Sequence, residues 1–211
     1  MKKTLLLITI CFIGISTALA QKQIYESPKL KDAIKTHKTV AILPFLVTIK
    51  YKKLPKDYSP EDNKLKELQY GKSIQSSMFT YLLRKADNYT VTFQDVEKTN
   101  ALLTKYKMID SLGAHTKDEV AKILGVDAVI FGTYTTATTR SEGGAIATTI
   151  LFGTWASKTG DNDLTLQIAN GADGDLLWRY SKRMDESLFA STDDVIERQM
   201  RKLSRNFPYV K

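Results

Sequence analysis

Two runs rich in apolar, β-branched residues constrain this 211-residue chain most: Thr39-Val-Ala-Ile-Leu-Pro-Phe-Leu-Val47 and Val126-Asp-Ala-Val-Ile-Phe-Gly-Thr-Tyr134. Neither keeps the strict apolar/polar alternation of a half-exposed strand, so each is expected to be a strand covered on both faces. Helical patterns lie between them. One runs from about Asp62 to Lys85 with Gly71, Ile74, Met78 and Leu82 as its buried stripe, and another is opened by Asp95 and reaches about Tyr106. The short strand Tyr89–Phe93 separates the two. Thr116-Lys-Asp-Glu119 has the spacing of a capping box, in which the Thr hydroxyl accepts from the backbone N–H three residues on and Glu119 reaches back; Gly125 ends that helix. Strand, helix, strand, helices, strand produces parallel pairing through right-handed crossovers.

After the third strand the rhythm changes. Leu164, Leu166 and Ile168 alternate along one segment and Leu176, Trp178 and Tyr180 along the next, with Asn170-Gly-Ala-Asp-Gly174 between them as a hairpin loop. A last helix opens at Ser191-Thr-Asp-Asp194, buries Ile196, Met200, Leu203 and Phe207, turns Arg198, Arg201, Lys202 and Arg205 outward, and ends at Pro208. The expected class is α/β: a mixed sheet whose first strands are parallel and joined by helical crossovers, then an antiparallel hairpin and a C-terminal helix.

The first twenty residues are read separately. Lys2-Lys3, the apolar run Leu5–Ile15 and Ala18-Leu-Ala20 form the basic, apolar and small-residue regions of a secretory signal, cut between Ala20 and Gln21. The apolar run is shorter than the roughly 20 residues that span a bilayer. Cys11 lies inside it, preceded by Thr9-Ile10, which is not the setting of a lipid-modified cysteine. The domain reading is therefore a signal peptide over 1–20, a polar lead-in over 21–38 carrying a short helix near Leu30–Ile34, and one α/β domain over 39–211 with an apolar insertion at 141–158. The expected location is the periplasm or the medium.

Cleavage takes away Lys2, Lys3 and the single Cys, and leaves 29 basic against 23 acidic residues where the full chain carries +8. Without a thiol the exported chain has no disulfide, and its stability must come from packing. So diffuse a positive charge does not point to nucleic acid. Two histidines, His37 and His115, are both expected in or beside loops with no nucleophile elbow near them, and they cannot supply a metal cluster. Asn170–Asp175 lacks the closing acidic ligand of a calcium loop and reads as a turn. The Lys-rich segment Lys50-Tyr-Lys-Lys-Leu-Pro-Lys56 has no Gly-rich cradle beside it and reads as a solvated loop. No catalytic, cofactor-binding or metal-binding residue is assigned, and no cofactor is expected.

One stretch stands apart. Gly143-Gly-Ala-Ile-Ala-Thr-Thr-Ile-Leu-Phe-Gly-Thr-Trp155 is uncharged and rich in small residues. It either packs on its own domain or forms a contact surface, and in the second case Ile146, Ile150, Leu151, Phe152 and Trp155 are the interaction residues, facing a protein partner, a second copy or a membrane interface.

Val40-Ala-Ile-Leu-Pro-Phe45, the helix containing Gly71, Ala121-x-x-Leu-Gly-Val-Asp-Ala-Val-Ile-Phe-Gly-Thr133 and Gly174-x-Leu-Leu-Trp178 resemble, in that order, the envelope proteins grouped around the curli-secretion lipoprotein CsgG. The amino-terminal domain of TolB and the lipoprotein activators of penicillin-binding proteins are similar in the same way. The resemblance implies a non-enzymatic envelope protein that works by assembly or as an adaptor for a protein partner, the alternative being a membrane-engaging oligomer related to a secretion channel.

Overall fold

A computed structural model describes residues 23–51, 53–138, 162–184, 192–203 and 206–211. The signal segment, the apolar insertion with its five candidate interaction residues, and Ser191 of the last capping pattern lie outside them. In chain order the elements are β1 (Gln23–Glu26), α1 (Leu30–Thr36), β2 (Thr39–Ile42), β3 (Leu46–Tyr51), α2 (Pro60–Leu83), β4 (Thr92–Phe93), α3 (Val96–Lys105), α4 (Lys117–Leu124), β5 (Ala128–Thr138), β6 (Asn162–Asn170), β7 (Leu176–Met184) and α5 (Thr192–Leu203). One seven-stranded sheet has the order β1-β7-β6-β5-β2-β4, and β3 pairs with the distal half of β5.

The expected mixed α/β architecture is the one observed. β2 runs parallel to β4 and β5, and β3 runs parallel to β5. β6 is antiparallel to both β5 and β7. Alternation along β2 divides the core. Val40 and Ile42 belong to a large cluster with Ile74, Met78 and Leu82 of α2 and Met200 and Leu203 of α5. Ala41 and the following Leu43 belong to a second cluster with Leu103 of α3 and Val120, Ala121 and Leu124 of α4. All four strand-run residues are essentially inaccessible, as a doubly covered strand requires.

The first apolar run is not one straight strand. Pro44 has no N–H to give a ladder, and the chain breaks there into β2 and β3. The Leu43 N–H still reaches Ile130 O at 2.8 Å, whereas the Phe45 N–H turns to Gly71 O of α2 at 3.2 Å. Gly71 permits that approach, because a Cβ on it would sit 2.0 Å from Phe45 O. The Phe45 ring lies over Gly132 of β5, where a Cβ would meet Phe45 Cε1 at 2.4 Å and Thr165 O at 2.5 Å.

Several local expectations need correction. The Thr116 capping box does not form: Thr116 makes no side-chain cap bond. Its hydroxyl goes to Asp118, which holds that carboxyl below the usual range, and Glu119 takes His115 Nδ1 at 3.2 Å. The strand expected over Tyr89–Phe93 shrinks to Thr92–Phe93, with Tyr89 bridged to Val210. Phe207 is buried, but it lies beyond the end of α5, with its ring against Trp178, Tyr89 and Tyr209. The polar lead-in supplies β1, which pairs antiparallel with β7 at the sheet edge.

Gly71→Ala and Gly132→Ala should each destabilise the fold by about 2 kcal/mol or more through overpacking against Phe45. Gly113→Ala, whose Cβ would meet only Leu46 Cδ1 at 3.7 Å, should stay within about 0.5 kcal/mol of wild type. Urea unfolding of the three variants checks this.

Candidate functional site

The break at Pro44 leaves a groove. Phe45, Leu46 and Val47 form its floor; Glu61, Lys64, Leu65 and Leu68 on the first two turns of α2 make one wall; Ile109, Asp110, Leu112 and Gly113 of the α3–α4 connection make the other. Its volume is about 500 Å³. Leu46 is 47% exposed and Leu65 57% exposed, which is unusual for two large apolar side chains meeting in one concavity. α2 owes its start to Ser59, whose side chain accepts from the Asp62 N–H at 3.2 Å, with Pro60 in the first turn.

The outer edge of β3 beside this groove is closed by side chains. The Glu67 carboxylate accepts from the Ile49 N–H at 2.8 Å and from Asn63 Nδ2 at 3.1 Å, while the Tyr51 hydroxyl donates to Asn63 Oδ1 at 2.9 Å. The groove therefore presents apolar side chains rimmed by charge. Such a surface offers contact area to apolar side chains and charge at its border.

The two histidines lie apart from it. His37, expected beside a loop, is buried. Its Nε2 lies 3.2 Å from Asn170 Oδ1, and its Nδ1 2.8 Å from the Tyr209 hydroxyl. Asn170 Nδ2 donates to Asp173 Oδ1 at 2.8 Å, which orients the amide so that Oδ1 must accept from His37 Nε2–H. In the neutral ring Nδ1 is then the acceptor and the Tyr209 hydroxyl donates to it. Burial raises the Tyr209 pKa well above that of a free phenol. Asp127 accepts from the Lys38 and Thr39 N–H groups at 2.8 and 2.9 Å, and the Thr39 bond leads the causes that lower its pKa. These partners stand up to 172 residues from His37, so no local pattern signals the junction. His115 faces Glu119 and Ser111 Oγ, the latter at 3.3 Å.

Lys53 and Lys56 are exposed, as expected of a solvated loop, but the segment does not start as one: Lys50, also exposed, and Tyr51 belong to β3. The Asn170–Asp175 segment is a turn, closed by Gly174 N–H to Asn170 O at 2.9 Å. Among the described residues no group of three or more His, Cys, Asp or Glu side chains could hold a metal, and no helix is long and apolar enough to cross a membrane. The groove has no signature in the sequence because its floor and two walls come from three separate segments. Leu65 alone carried a signal: it lies nine residues before Ile74, about 180° round the helix from it and so off the buried stripe.

Fold and groove together define a mixed α/β protein with an apolar, charge-rimmed cleft between β3, α2 and the α3–α4 connection. No protein-family model matches the sequence, and comparison with curated proteins finds no match. Among solved structures, the PelC dodecamer of Paraburkholderia phytofirmans is similar at 14% identity and TM-score 0.39, over 90% of this chain and 98% of that one. Lipoprotein GNA1162 of Neisseria meningitidis is similar at 11% identity and TM-score 0.41, over 80% and 99%. LpoB of E. coli is similar at 9% identity and TM-score 0.40, over 75% and 66%. At these values the likenesses assign no activity or partner.

Asp127→Asn tests the junction at the start of β2. A carboxylate with a lowered native pKa stabilises fully above its ordinary value of 3.8, and that contribution is lost as pH falls through the native pKa. The variant keeps an acceptor oxygen but takes up no proton. Its stability deficit relative to wild type should be largest at pH 7 and shrink below about pH 3, as read from urea midpoints across pH.

Proposed function

We propose that this chain is an exported envelope protein, released by cleavage after Ala20, and that it acts as a non-enzymatic adaptor or assembly module contacting a protein partner. The observation that carries the reading is the apolar groove with Leu46 and Leu65 half exposed on its floor and wall. A cleft lined mainly by apolar side chains suits recognition of another protein's side chains. The apolar insertion, with Ile146, Ile150, Leu151, Phe152 and Trp155, is a second contact surface in this proposal and rests on its composition. The finer likeness to CsgG and to the TolB amino-terminal domain rests on motif order alone. The other reading, a membrane-engaging oligomer, keeps only that insertion in its favour.

A photo-crosslinking residue placed at Leu65 or Leu46 in the native envelope should give a discrete product with one protein, and the same residue at Leu83, also exposed but remote from the groove lining, should not. Products identical at all three positions, or none at Leu65 and Leu46, would remove the adaptor reading. Amino-terminal sequencing of the exported protein should begin at Gln21.

A further inference from the structure

We infer that the groove receives an amphipathic helix whose polar face is basic. This deepens the adaptor reading and rests on it. A strand is disfavoured as the occupant, because strand addition needs a row of free backbone groups and β3 does not offer one. Phe45 N–H is taken by Gly71 O and Ile49 N–H by Glu67, so two of the outward donors flanking Val47 are already spent. A helix satisfies its own backbone and asks only for apolar side-chain contact, which Leu46, Leu65, Ile109 and Leu112 provide. The α2 wall from Glu61 to Leu68 is about 10 Å long, the rise of two helical turns.

Charge selects the sign of the visitor. Of the ionisable residues lining the groove, Glu61, Glu67 and Asp110 are acidic and only Lys64 is basic, on a chain whose total is +8. An acidic rim on a basic protein attracts a Lys- or Arg-flanked apolar stripe and repels an acidic one, an effect expressed in association rate and in partner choice.

Two labelled 14-residue peptides test this against the mature full chain by fluorescence anisotropy. Both carry Leu at helical i, i+3, i+4, i+7 spacing, one with Lys and the other with Glu at the remaining positions. The Lys peptide should bind at least tenfold more tightly than the Glu peptide at low salt, with the gap narrowing as salt rises. Leu65→Glu should abolish binding, Leu83→Glu should leave it unchanged, and Glu61→Lys with Asp110→Lys should reverse the preference. Leu65 and Leu83 are both exposed, so neither change threatens the fold. Equal affinity for the two peptides, tighter binding of the Glu peptide, or Lys-peptide binding that survives Leu65→Glu would overturn the inference. A crosslinked protein at Leu65 combined with any of those results would leave the adaptor reading standing and remove the basic helix.

Discussion

The contact on which the rest of the structure depends is the seating of Phe45 between two glycines. Pro44 ends the ladder of β2, and the chain would be free to leave the sheet there. Instead the Phe45 backbone binds α2 at Gly71, and its ring lies on β5 at Gly132. The helix is thereby held against the strand break, and β3 is returned to the same neighbour, β5, that β2 has just left. One strand position thus serves two short strands, and the step between them is the floor of the groove.

The two core clusters follow from the same strand. Alternate residues of β2 feed opposite faces, with α2 and α5 covering one and α3 and α4 the other. Past the break the second cover thins out. Leu43 is fully buried in the α3–α4 cluster, whereas Leu46, three residues on, is 47% exposed. The groove is therefore the place where the second layer ends before the sheet does, and its apolar lining is unfinished core.

Much of this was readable in the residues. The doubly covered start of the first strand, the parallel pairing, the stripe Gly71, Ile74, Met78 and Leu82, and the Asn170–Gly174 hairpin each rest on local periodicity or turn chemistry and appear where that chemistry put them, although the strand expected to reach Val47 ends at Ile42 because Pro44 breaks the run. What local pattern could not supply was competition and assembly. Thr116 has the sequence of a cap but spends its hydroxyl on Asp118. Gln23–Glu26 is too short and too polar to announce itself as a strand, and becomes one because β7 offers it an open edge. His37 does lie in the connection between α1 and β2, but no local pattern shows that Tyr209 and Asn170, 172 and 133 residues away, bury it there. The groove belongs to the same kind of fact.

The magnitude of the unfinished core sets the kind of contact it can make. Burying a whole Leu is worth about 1.5–3 kcal/mol, so completing two half-exposed leucines, Leu46 and Leu65, supplies on the order of 2–3 kcal/mol. Association itself costs at least about 4 kcal/mol in lost rigid-body freedom. The two leucines alone do not cover that cost, and the remaining groove lining together with the acidic rim must contribute the surplus. A partner held this way binds reversibly and is chosen by charge as much as by shape. That behaviour fits an adaptor that engages and releases better than a subunit of a permanent assembly, whose interface would have to enclose a much larger apolar area.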